Sequence, residues 1–105
     1  MEVWTINLPY VDDSHDHFEV PQAFEQFVVD CAGGFTRTYA YGAWRAPNGK
    51  VISEPINVYS IAVVDREIFK RIVLKAQSLY PNEQALYITG PDGAHILTNK
   101  DLINV

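Results

Sequence analysis

The sequence predicts an α+β domain in which two helices cover one face of an antiparallel sheet. Three observations carry this. Several stretches alternate apolar residues with period two, two others repeat them every three to four residues, and glycine, proline and aspartate separate them. The resulting order, β-α-β-β-α-β, is the split βαβ arrangement of the ferredoxin-like sandwich, with a possible extra short strand at the C-terminal end.

In the first stretch, residues 3–10, Trp4, Ile6, Leu8 and Tyr10 share one side of an extended chain, the signature of a half-buried strand. Pro9 removes a ladder donor near its end, and Asp12, Asp13, Ser14, His15, Asp16 and His17 follow with no apolar period, so they read as a loop. A helix then begins around Val20. Pro21 suits its first turn, Phe24, Phe27, Val28 and Cys31 recur at three and four, and Gly33 and Gly34 supply a stop.

Residues 35–45 are aromatic and β-branched, with Phe35, Tyr39 and Tyr41 on one parity and Thr36, Thr38 and Trp44 on the other, so a strand accessible on both faces is expected. Ala46-Pro47-Asn48-Gly49 is a turn, since proline fixes one φ and Asn-Gly tolerates positive φ; residues 50–64 return as the second arm of a hairpin. Asp65 can cap the next helix, whose Ile68, Phe69, Ile72, Val73, Ala76, Leu79 and Tyr80 form a broad stripe ending before Pro81. Residues 85–89 and 94–98 are short strands around a Gly90-Pro91-Asp92-Gly93 turn, and the tail from Asn99 reads as a loose end or a short edge pairing.

Length and composition agree with one domain over residues 1–105: 48% of the chain is hydrophobic, enough for one core. The 8 Lys and Arg face 13 Asp and Glu, a net charge of −5, which repels a nucleic-acid backbone and demotes nucleic acid as a partner. No apolar run spans a bilayer and Met1-Glu2-Val3-Trp4 lacks signal-peptide character, so the expected location is the cytoplasm, without a membrane partner. The single cysteine, Cys31, reads as a small buried thiol. Tyr, Trp and Val side chains on the sheet face opposite the helices have no element left to cover them, which predicts a homo-oligomer.

Candidate chemistry concentrates in the hairpin. Gly42 inside a strand marks either a bulge or the close approach of a ligand or another backbone. Glu54 shares parity with Ile52, Ile56 and Val58; a carboxylate on such a face is either a site residue or a cross-strand partner of Arg45 or Lys50. Pro55 beside it lacks an amide donor, so the strand is expected to be interrupted or at an edge there. Trp44, Tyr39, Tyr41 and Tyr59 offer flat faces for a planar base or a cation, or pack a subunit interface. The His15 and His17 loop lacks the spacing of a metal signature, His95 reads as a packed histidine, and no nucleophile elbow, phosphate loop or dinucleotide fingerprint is present, so no metal or cofactor is expected.

Gly33-Gly34-Phe35-Thr36, Gly42-Ala43-Trp44, Glu54 and Asn82-Glu83-Gln84-Ala85-Leu86-Tyr87 together resemble the phage S-adenosylmethionine lyases over the C-terminal two-thirds of the chain. Those enzymes resemble PII-like trimers with ligand clefts between subunits. The resemblance implies a trimer, an adenosyl ligand, and Glu54 in the place of the catalytic glutamate, although Pro55 departs from the family pattern. Trp44 or a tyrosine (Tyr39, Tyr41 or Tyr59) would face the ligand and Gly42 would leave it room. The reaction implied is intramolecular attack of the substrate carboxylate, giving methylthioadenosine and a lactone, which needs a folded substrate more than acid or base. The alternative is a non-enzymatic counter-defence or regulatory protein that sequesters a nucleotide or inhibits a host protein.

Overall fold

In the computed structural model, which describes residues 1–10, 19–83, 85–98 and 101–105, the elements follow the expected order. They are β1 (Glu2–Pro9), α1 (Glu19–Ala32), β2 (Thr36–Arg45), β3 (Val51–Val63), α2 (Arg66–Leu79), β4 (Ala85–Gly90) and β5 (Gly93–Thr98). Local chemistry sets the ends. Gly33 takes a φ of +89° and donates its N–H to the Val29 carbonyl, closing α1 as only a residue without a Cβ does cheaply. Asp65 caps α2, its carboxylate accepting the Glu67 N–H at 2.9 Å. At the hairpin tip Gly49 has φ +86°, and Asn48 Oδ1 accepts the Lys50 N–H at 3.0 Å.

The strands form one sheet in the order β2-β3-β1-β4-β5, with every neighbouring pair antiparallel. Each βαβ crossover skips one position. β3 lies between β1 and β2, and β1 between β3 and β4, as the ferredoxin-like sandwich requires. The short fifth strand extends the edge beside β4, pairing Ala85 with Thr98 through Gly90 with Gly93.

Both helices lie on one face, where Phe24 and Val28 of α1 and Phe69, Ile72, Val73 and Ala76 of α2 meet Trp4, Ile6, Leu8, Tyr59, Ile61, Leu86 and Ile88 of the sheet. The Trp4 indole stacks on Phe69 with centroids 5.0 Å apart. Gly90 is held open by that ring, because a Cβ at its position would run into the indole's six-membered ring. Arg66 straps this end of the sandwich, donating to Glu2 and Asp92 at 2.8 Å each while its guanidinium lies over Trp4. Hydrogen bonds from Arg66 hold the Glu2 carboxyl below its ordinary range and raise the guanidinium.

Two local expectations are corrected, and at Pro55 the structure chooses the edge over the interruption. Tyr10 is exposed, its ring edge-on to Tyr39 at 5.0 Å, because β1 has already ended. The C-terminal tail is not loose throughout: Ile103 is buried and Val105 packs against the same core. β3 runs unbroken through Pro55. The Tyr10 N–H donates to the Pro55 carbonyl, which places the proline's donor side toward β1, just past β1's last register pair, Pro9 with Ile56. Among the described residues no helix is long and apolar enough to cross a membrane.

Candidate functional site

The register fixes which side chains share the uncovered face. Pairing across β2 and β3 sets Thr38 opposite Val58, Ala40 opposite Ile56, Gly42 opposite Glu54 and Trp44 opposite Ile52, all on the side away from the helices. β4 and β5 add Tyr87 opposite Ile96 on that side, and β1 adds Val3, Thr5 and Asn7. Several are large, apolar and open to solvent, Ile96 at 71% and Tyr87 at 45%. Thr5 and Thr89 link their hydroxyls across β1 and β4, satisfying two polar groups within this face.

β3 has thirteen residues and outruns β1, so the far part of the hairpin projects as a two-stranded ribbon. Between this ribbon, the end of β1 and the start of β4 lies a cavity of about 690 Å³. Asn7 and Pro9 line it from β1, Gly42 and Trp44 from β2, Ile52, Glu54 and Ile56 from β3, and Asn82 and Glu83 from the connection after α2. Ala85, Tyr87 and Ile96 complete it from the other side.

Two carboxylates therefore reach one cavity from different elements. Burial and then the charge of Glu54 raise the Glu83 carboxyl above its ordinary range. Arg45 also lines the cavity, but its guanidinium donates to the Gly49 carbonyl at 2.8 Å. The described ion pairs use Glu25, Glu2, Asp92 and Glu67 as their acids; the cross-strand pairing of Glu54 with Arg45 or Lys50 is not among them. Gly42 is no bulge, because the β2–β3 register passes through it unbroken, and a Cβ added there would meet Ile56 Cδ1 at an ordinary 3.5 Å.

Of the residues singled out in the sequence, the structure brings Gly42, Trp44 and Glu54 to this cavity. It does not bring the three tyrosines there. Tyr39 and Tyr41 belong to the opposite parity of β2, both exposed, with the Tyr41 hydroxyl donating to Ser53 Oγ at 3.1 Å. Tyr59 is 1% exposed beneath α1, edge-on to Phe24 and Phe35, and its hydroxyl donates to Glu25 at 2.7 Å. Burial and then that carboxylate raise the Tyr59 hydroxyl far above its ordinary range, and Arg37 completes the group by pairing with the same Glu25 oxygen. Sequence reasoning named Glu83 and Tyr87 only among the residues of the resemblance and gave neither a role; the parity of Tyr87 with Ala85 was the available signal.

His95 is half-buried with its ring 6.2 Å from the Trp4 indole, and Cys31 is half-buried against the core. Among the described residues no three His, Cys, Asp or Glu side chains gather as a metal site would require; His15 and His17 lie outside the described residues.

No family model matches the chain, and no curated protein does. Among solved structures, the divalent cation tolerance protein Cut A1 from Thermus thermophilus superposes with a TM-score of 0.60. It is 15% identical, and the alignment covers 96% of this chain and 86% of that one. The likeness is one of fold. It corrects the family expectation: the structural neighbour is a bacterial cation tolerance protein, not a phage S-adenosylmethionine lyase. The lyase activity, the adenosyl substrate and the phage counter-defence setting fall with that expectation, since nothing but the resemblance carried them.

Proposed function

We propose that this chain is a non-enzymatic binding protein that works as an assembly of its own copies in the cytoplasm. The uncovered sheet face is the contact surface, and the cavity beside Glu54, which shares Trp44, Ile52, Tyr87 and Ile96 with that face, is a ligand cleft that a second copy borders. The observation that carries the reading is the uncovered face itself, where Val3, Trp44, Ile52, Tyr87 and Ile96 stand open to solvent on one side of the sheet. Contiguous apolar surface of this kind marks an interaction site, and a second copy buries it against the same chemistry. Both outer strands, β2 and β5, also offer unpaired edges.

The name of the structural neighbour concerns divalent cations. Among the described residues the cavity presents two carboxylates, fewer than a dedicated oxygen-ligand metal cage uses, so a divalent metal-ion role is not the reading its geometry favours.

Sedimentation equilibrium at micromolar concentration tests the assembly and gives its number of copies. Wild type is expected to associate, and Ile96→Lys, a change at a mostly exposed position, to sediment as monomer with unchanged circular dichroism. A wild type that stays monomeric at high micromolar concentration overturns the reading.

A further inference from the structure

We infer that the cavity takes a small organic cation, a primary or secondary ammonium carried on a flat apolar group, held by Glu54 and Glu83 between the rings of Trp44 and Tyr87. This rests on the reading of the chain as a binding protein and names the chemical class of its ligand.

Four features converge. The carboxylates come from separate elements, β3 and the connection before β4, so their meeting is a product of the fold and not of local sequence. Neither has a hydrogen-bond or ion-pair partner among the described residues, whereas the nearby Arg45 is turned to a backbone carbonyl. Two like charges in a partly buried site cost free energy that a cation placed between them removes, and charge-assisted hydrogen bonds reward an N–H donor in particular. Around them Asn7, Asn82 and Arg45 add polar groups, but the larger part of the lining is apolar: Trp44, Ile52, Ile56 and Tyr87 offer ring faces and aliphatic surface, which suit the body of an amphipathic cation.

The volume, about 690 Å³, lies within the span of small-molecule pockets. Gly42 keeps the strand beside Glu54 free of a side chain. The same carboxylates repel phosphate groups, so a nucleotide is the wrong class for this cleft. Binding should also depend on pH in a defined direction. The raised carboxyl of Glu83 holds a proton at acid pH, and an ammonium prefers it ionised, so affinity rises as pH rises from about 4.5.

Phenethylammonium chloride is the probe, titrated into the ¹⁵N-labelled full chain. The chain has 2 tryptophans, so the Trp44 indole N–H reports the cavity and the buried Trp4 indole N–H serves as internal control. Expected is a saturable shift confined to Trp44, weakened at least tenfold for the neutral analogue 2-phenylethanol. Glu54→Gln and Glu83→Gln each weaken it about tenfold, the scale of one lost charged hydrogen bond. Equal binding of amine and alcohol, wild-type affinity in both Gln variants, or preferential binding of phenyl phosphate or zinc overturns the inference. So does the absence of any shift at millimolar amine. Sedimentation of the same samples separates the two levels: assembled protein that ignores the amine refutes the ligand class and leaves the assembly standing.

Discussion

Gly90→Ala tests the tightest contact in the core. The backbone there lies outside the left-handed region, so alanine meets no conformational penalty, and at this last residue of β4 it gains at most about 0.5–1 kcal/mol, its worth over glycine inside a strand. Against that gain stands the Trp4 indole, fully buried and stacked on Phe69 at 5.0 Å, with which the new methyl would collide. Overpacking a filled core costs about 1–3 kcal/mol, and a collision with a ring held on its other face belongs at the top of that span. The net loss is then about 2 kcal/mol, which lowers the Tm by about 8–16 °C at about 4–8 °C per kcal/mol. Trp4→Val removes every ring atom that the methyl would meet, so in that background Gly90→Ala should be neutral or stabilising. The coupling of about 2–3 kcal/mol follows from urea unfolding of the four proteins. Gly90→Ala within about 0.5 kcal/mol of wild type, or an equal loss in both backgrounds, refutes the packing account.

Three further outcomes are expected. Tyr59→Phe leaves Glu25 paired with Arg37, costing about 0.5–1.5 kcal/mol; Glu25→Ala takes the acceptor from the buried Tyr59 hydroxyl and the partner from Arg37 and costs about 1–3 kcal/mol, an order that urea titration checks. The pH dependence splits by group. Glu83, raised in the folded chain, makes stability fall as pH rises from 4.5 through its folded value, and Glu83→Gln removes that loss. Glu2, lowered by Arg66, contributes stability present above 4.5 and lost as pH falls through its folded value, and Glu2→Gln flattens that acid limb in chemical denaturation at stepped pH. Ile103→Ala should cost about 2 kcal/mol by thermal unfolding, whereas a residue on a loose end would cost next to nothing.

Elements whose local chemistry is self-sufficient were legible in the sequence. Asp65 and the stripe from Ile68 to Tyr80 specify α2, and Pro47-Asn48-Gly49 specifies the hairpin, because a cap, a period and a turn are each decided within a few residues. Period two also assigns Trp4, Ile6 and Leu8 to one face correctly. What period two cannot say is which face meets the helices. That follows from strand order, a long-range property, and it is why Tyr59 goes to the core while Glu54, on the other parity of the same strand, goes to the cavity. Pro55 left two outcomes open, an interruption or an edge, and the edge is the one found: a missing donor interrupts a strand only if a paired strand lies on that side, and here β1 has ended. Ile103 was lost in a tail too short to show a period, its burial supplied by a core to which it contributes almost last.

The central place of β1 carries a consequence for synthesis. It is translated before every other strand of this sheet, yet both of its partners lie far downstream, Val63 through Ile56 on β3 and Thr89 and Ile88 on β4. At about 5–20 residues per second, Trp4, Ile6 and Leu8 wait several seconds without a pairing strand. The hairpin of β2 and β3 closes through a short turn and can form before β1 is captured, so the nascent chain carries a finished ribbon beside an unsatisfied apolar strand. Chaperone demand during translation should therefore centre on the first ten residues, and a circular permutant that starts at the hairpin turn should lessen it.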